Sequence, residues 1–218
     1  MKSSLKRVIF TAVLLCAAGA PLFSHPHMFI DTRVRFVFEG QMLEGFWVQW
    51  GFDEMFSASI RMDYDANRNG SFESREVESI EENAFRNLRN YNYFISVDRG
   101  ERRQRIERVE SFDAWLEENR LYYRFFVPYE AEVPEQREEL RLIIFDDTFF
   151  CDIAYFEEEP VLIDAAQGIE ANYNIRVNRD RSISYDPLGG RERNGTETEN
   201  LDYGTAYPYE LILNFRRN

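Results

Sequence analysis

The stretch Phe29-Ile30-Asp31-Thr32-Arg33-Val34-Arg35-Phe36-Val37-Phe38-Glu39-Gly40-Gln41-Met42, continuing through Leu43 to Trp50, decides the reading of the fold. Residues 29–38 alternate apolar with polar side chains, and so do residues 42–50. A period of two puts alternate side chains on opposite faces of an extended chain. With Glu39-Gly40-Gln41 between them, the two runs predict a β-hairpin. After Gly51 the period changes: Phe52, Met55, Phe56 and Ile60 form the stripe of a short amphipathic helix, with Asp53 and Glu54 in the first turn, where the helix dipole favours acids. A polar turn follows over 63–70, and Val77, Ile80, Ala84 and Leu88 form a second helical stripe.

From Tyr93 onward the pattern returns to short strands, expected near 93–98, 105–112, 120–128, 139–146, 149–156, 169–178 and 208–215. Leu121, Tyr123, Phe125 and Val127 share one face, as do Leu140, Leu142 and Ile144. The expected class is mainly β with α: an antiparallel β-sandwich-like domain with an inserted EF-hand-like helix–loop–helix at about 52–90. The segment 186–204, rich in Gly and polar residues, is too long for an ordinary connection and predicts a mobile loop.

The composition supports a packed core, because the 218 residues include 19 Phe, 12 Tyr and 3 Trp. Acidic residues number 39 against 26 basic, which argues against a nucleic-acid partner. Lys2, Lys6 and Arg7 followed by an apolar run over 8–20 and Pro21-Leu22-Phe23-Ser24 read as a signal peptide, residues 1–24, since a membrane anchor needs about 20 apolar residues. The expected location is then the periplasm, with residues 25–218 as one β-rich domain. Cys16 leaves with the leader, and the Leu-Leu before it matches a lipoprotein site poorly. Cys151 is the remaining cysteine, so no internal disulfide forms; it reads as a small buried hydrophobe.

The strongest chemical signal is Asp65-Ala66-Asn67-Arg68-Asn69-Gly70-Ser71-Phe72-Glu73-Ser74-Arg75-Glu76. It fits the EF-hand loop at its diagnostic positions. Asp65, Asn67 and Asn69 offer side-chain oxygens on alternate residues, and Gly70 permits the sharp turn. Ser71 offers its carbonyl, Glu73 a direct or water-mediated oxygen, and Glu76 both carboxylate oxygens. Phe72 takes the apolar slot facing the core. An oxygen-only donor set suits Ca²⁺. The bland alternative is a polar turn of the same shape without an ion. A pairing loop is absent from the sequence: the stretch from Asn178 has Gly189 where the bidentate acid belongs.

The two histidines, His25 and His27, fall at the expected cleavage point. A free terminal amine with both imidazoles would chelate Cu²⁺, Ni²⁺ or Zn²⁺; the bland alternative is an ordinary terminus. Asp53-Glu54 and Asp146-Asp147 read as a helix start and a turn. With one Cys and both histidines at one end, no nucleophile–base arrangement assembles, so the expectation is a protein that is not an enzyme.

His25-Pro26-His27-Met28-Phe29-Ile30-Asp31, the junction Trp50-Gly51-Phe52-Asp53-Glu54, the 65–76 loop and Phe145-Asp146-Asp147-Thr148-Phe149-Phe150 occur in an order that resembles the DUF1007 family, over residues 25–160. That resemblance implies a periplasmic accessory to metal transport. It implies that His25 and His27, with Asp146, handle Zn²⁺, Ni²⁺ or Co²⁺ for an inner-membrane permease. The competing reading is a calcium-stabilised structural or protein-interaction domain.

Overall fold

The computed structural model describes residues 26–100, 102–185 and 204–218. The expected leader, His25 and residues 186–203 of the expected loop lie outside the described residues. The alternating run folds as β1 (Met28–Glu39) and β2 (Met42–Phe52), antiparallel from Ile30↔Phe52 to Glu39↔Met42. Helices α1 (Glu54–Tyr64) and α2 (Ser74–Asn83) and a 3-10 segment (Phe85–Phe94) follow. Next come β3 (Ile95–Arg99), β4 (Arg102–Arg105), β5 (Glu110–Glu117), β6 (Arg120–Glu132), β7 (Glu138–Ile144) and β8 (Cys151–Tyr155). The described chain ends with β9 (Val161–Asp164), β10 (Ile169–Val177), β11 (Ile183–Tyr185), β12 (Gly204–Ala206) and β13 (Tyr209–Arg217).

One sheet has the order β5-β6-β2-β1-β8, with β9 also beside β1; the second has the order β10-β13-β7-β3-β4, and β11 pairs with β12. Pairing is antiparallel apart from β8 and β9, which run parallel to successive halves of β1. A single buried cluster draws Phe36, Phe46, Val48 and Phe125 from the first sheet and Val97, Leu142, Leu213 and Phe215 from the second. The Phe38 and Phe215 rings meet across it at 5.9 Å. Leu121, Tyr123, Phe125 and Val127 are all buried, as their shared face predicts.

Several expectations are corrected. Met55 does not join the buried stripe of α1 but is 71% exposed; the buried face consists of Ser57 and Ile60. The strand expected at 105–112 falls on the break between β4 and β5. The strand expected from Tyr93 begins at Ile95, because residues 92–94 are the end of the 3-10 segment, with φ of +52°, +52° and +58° at Asn92, Tyr93 and Phe94. Gly204, placed in the loop by the sequence reading, opens β12. No helix among the described residues is long and apolar enough to cross a membrane.

Ser57 ties α1 to β6 of the sheet. Buried Ser57 donates its hydroxyl to the Asp53 carbonyl at 2.6 Å and accepts from the Leu121 N–H of β6 at 3.0 Å. Arg120 closes the end of β2 by donating to the carbonyls of Phe52 and Gly51 and to Asp31 Oδ2 at 3.0, 2.9 and 2.6 Å.

Candidate functional site

Asp53 is the residue that aims the helical hairpin. It caps α1 by accepting the Phe56 N–H on Oδ1 at 2.9 Å, and its Oδ2 accepts the Phe29 N–H of β1 at 2.9 Å. At the other end of α1 the chain enters the 65–76 loop. Asp65, buried, accepts the N–H groups of Asn69 and Gly70, one on each carboxylate oxygen, both at 3.0 Å. Asn67 Oδ1 accepts the Asn69 N–H at 2.9 Å, and Asn69 Oδ1 accepts the Ser71 N–H and hydroxyl, both at 2.8 Å. Asn67 Nδ2 donates to Glu73 Oε1 at 3.0 Å. Gly70 has φ of +81°, a left-handed value at which any other side chain is strained. Glu76 accepts the Glu73 N–H at 2.8 Å, the geometry of a capping acid in the first turn of α2, and the Ala66 N–H at 2.9 Å. Phe72 packs against the core, as its apolar slot predicts.

All six oxygen donors named from the sequence therefore share one wrapped loop between two helices. Their carboxylates are directed mainly at backbone N–H groups. Among the described residues, no group of three or more His, Cys, Asp and Glu side chains is close enough to hold a metal ion.

The second candidate lies where β1 starts. The His27 N–H donates to the Phe150 carbonyl at 2.9 Å, and the two rings lie 4.9 Å apart. Asp146, 3% exposed, accepts from the Thr148 N–H and hydroxyl on Oδ1 and from the Cys151 N–H on Oδ2, at 2.9, 2.7 and 3.0 Å. The His27 backbone and the Asp146 carboxylate thus hold the two ends of one peptide unit, the Phe150 C=O and the Cys151 N–H. These point in opposite directions in a trans peptide, so the two residues approach it from opposite sides. Cys151 faces Met28 across the parallel β1–β8 register, with Sγ to Sδ 3.8 Å. Burial, then the charge of Asp146, pushes its thiol up to about 12.

A family model described as a protein of unknown function, DUF1007, matches residues 10–215. The chain belongs to the DUF1007 family. It is also 30% identical over 124 residues to an uncharacterized 15.5 kDa protein in the trpE 3' region of Spirochaeta aurantia, a match covering 57% of this chain and 86% of that one.

In this DUF1007 protein the two candidates differ in chemistry. The 65–76 loop offers carboxylate, amide and carbonyl oxygens, hard donors that fit Ca²⁺. Where β1 starts, the His27 ring lies against Phe150, the buried Cys151 thiol faces the Met28 thioether, and Asp146 is already hydrogen-bonded to three donors. Sequence reasoning found Asp65, Glu76, His27 and Asp146 but missed Ser57 and Arg120, for which no spacing or motif gave a signal. It read Asp53 as a helix start without its bond to Phe29.

Proposed function

We propose that this chain is an exported, non-enzymatic metal-binding protein of the periplasm, whose loop 65–76 holds Ca²⁺ through Asp65, Asn67, Asn69, Ser71, Glu73 and Glu76. The observation that carries this is the closure of the loop, in which Glu76, the twelfth residue, returns to the N–H of Ala66. The carboxylates and Asn67 accept hydrogen bonds through some of their lone pairs and retain others for a cation, while Asn69 Oδ1, which accepts both the Ser71 N–H and hydroxyl, is freed for it when the hydroxyl turns away. Bound Ca²⁺ would neutralise Asp65, Glu73 and Glu76 and lock α1 to α2. A transition metal, Zn²⁺, Ni²⁺ or Co²⁺, would be taken by His25 and His27, with Asp146 positioning the Phe150–Cys151 segment, and passed to an inner-membrane permease; membership in the family supports this part.

Isothermal titration of the exported form with Ca²⁺ and, separately, Zn²⁺ or Ni²⁺ tests both parts. Glu76→Gln should remove the first heat alone and His25→Ala/His27→Ala the second alone. Unchanged heats in those variants would sink the corresponding assignment. The second reading, a calcium-stabilised interaction domain without metal traffic, is favoured by the three donors that already occupy Asp146, and it requires the Ca²⁺ heat alone.

A further inference from the structure

The outer face of the first sheet carries a hollow of about 280 Å³, walled by Arg33 and Arg35 of β1, Trp47 and Gln49 of β2, Arg124 of β6 and Leu162 of β9. Three of these six residues are arginines and none is an acid, in a chain whose acids outnumber its bases 39 to 26. The register explains how they meet. Arg33 lies opposite Gln49, and Gln49 opposite Arg124, in one row across three strands; in the next row Leu162, Arg35 and Trp47 are neighbours. Alternation puts these side chains on the face opposite the buried Val34, Phe36, Val48 and Phe125. Arg35 and Arg124 are half exposed, so a molecule in solvent reaches them directly.

Position 49 defines the ligand. A residue with an arginine beside it on each neighbouring strand gains most from being a carboxylate, because opposite charges paired across strands stabilise a sheet and like charges weaken it. The chain places an amide of the same shape there instead. The acids nearby do not fill the gap. Asp164 comes only to 3.6 Å from Arg35, and Asp113 to 3.3 Å from Arg124, both in half-exposed pairs, where pairing is weak. Arg33 donates to the neutral carbonyls of Glu158 and Glu159 at 3.0 and 2.8 Å. Three guanidiniums against two carboxylates leave one positive charge beside the Gln49 amide, which matches a monoanion. Two of the arginines are held in place beforehand: Arg124 lies 5.3 and 5.8 Å from the ring centres of Trp47 and Trp115, and Arg33 lies 5.0 Å from that of Phe156. Guanidiniums fixed in this way lose little freedom on binding, and their forked N–H groups fit a carboxylate. Trp47 and Leu162 add apolar surface, and the volume exceeds that of an engineered cavity that admits benzene.

We propose that this hollow binds a small organic acid with a compact apolar body, its carboxylate supplying the negative charge that position 49 lacks. The assignment is independent of either metal. Titrating the full exported chain with benzoate, followed through the arginine Nε–H and Gln49 side-chain amide resonances in ¹H–¹⁵N NMR, tests it. Saturable shifts at one site per chain are expected, and benzamide, the uncharged analogue, should give none. Gln49→Glu fills the gap from within: it should weaken benzoate at least about tenfold, the scale of one charged hydrogen bond, and raise Tm by about 1–4 °C, the scale of an exposed ion pair in a chain of this size. A substitution that merely damages the sheet lowers Tm, so the two effects together are specific to the charge account. Arg124→Gln should weaken benzoate by a similar factor without raising Tm. Absence of saturable shifts, equal benzoate affinity in Gln49→Glu, or a lowered Tm in that variant overturns the site. Equal shifts with benzamide, or tighter binding of inorganic phosphate than of benzoate, overturns the assignment of the carboxylate.

Discussion

The Glu76 carboxylate accepts the backbone N–H of Ala66 at 2.9 Å, joining the first turn of α2 to the residue that follows the C-cap of α1. Ten residues of loop are thereby closed by one side chain, which also caps its own helix through the Glu73 N–H. A cation bound there links the same two helices. Any ligand that binds only the folded state stabilises it by mass action: about 2.7 kcal/mol when free Ca²⁺ is about a hundred times its dissociation constant. For a chain of this size that is roughly 5–10 °C in Tm. Thermal melts with excess Ca²⁺ and with chelator should differ by this amount in the parent chain and by nothing in Glu76→Gln. Identical melts of the parent in both conditions would end the calcium reading.

Ser57→Ala should cost about 1–3 kcal/mol. The hydroxyl accepts the Leu121 N–H in a position fully closed to water, and alanine leaves that donor unmet. Ser57→Thr keeps the oxygen but adds a methyl group to a packed site, so its loss comes from crowding. Urea titration separates them: the alanine midpoint falls with an unchanged slope, and parent-like stability in alanine would show that the bond contributes nothing.

The parts of the molecule that were legible are those fixed by local periodicity or local chemistry. The hairpin of β1 and β2 follows from alternation around Glu39-Gly40-Gln41, and the two helices follow from their stripes and from Asp53 ahead of the first. What failed depends on distant residues. Parallel pairing of β8 and β9 with β1 joins segments more than a hundred residues apart, and nothing in residues 149–164 encodes that choice of neighbour. The strand expected at 105–112 spans the break after Arg105 and runs into the irregular start of β5, where Ser111 has φ of +55° and the β5–β6 register shifts between Glu110 and Asp113. Asp146 was found by type, yet its hydrogen bonds to Thr148 and Cys151 required the turn itself. The arginine-lined hollow draws its walls from four strands and has no linear signature.

Gly45 should tolerate no side chain. It sits at the irregularity in the β2–β6 register with φ of +152°, and a Cβ there would lie 2.3 Å from the Val127 carbonyl oxygen, a backbone atom that cannot swing aside. Gly45→Ala must shift one of the two long strands, a change on the scale of overpacked cores, about 1–3 kcal/mol or more. Gly40→Ala is the matched comparison: its φ of +58° is strained for alanine but its Cβ meets nothing within 4 Å. It should lose about 1 kcal/mol by backbone strain alone. Equal melting temperatures for the two variants would contradict the steric account.

Cys151 should be chemically silent in the folded protein and should make stability fall at high pH. Its thiol is 4% exposed and pushed from the ordinary value up to about 12, first by burial and then by the Asp146 charge. The reactive species is the thiolate, so in a chain of residues 25–218, which lacks Cys16, a disulfide reagent at pH 8 should titrate no thiol in the native state and one per chain after denaturation. The linkage has a definite sign. Between the unfolded value near 9 and the folded value of about 12, the unfolded chain has lost a proton that the native chain retains. Native stability from this group is therefore complete below pH 9 and declines as pH rises, by up to about 1.4 kcal/mol per pH unit. Cys151→Ala removes that slope, although it costs packing at every pH. Denaturant midpoints of the two chains measured from pH 7 to 10.5 should converge above pH 9, and parallel curves would show that the thiol ionises as readily in the folded state as in the unfolded one.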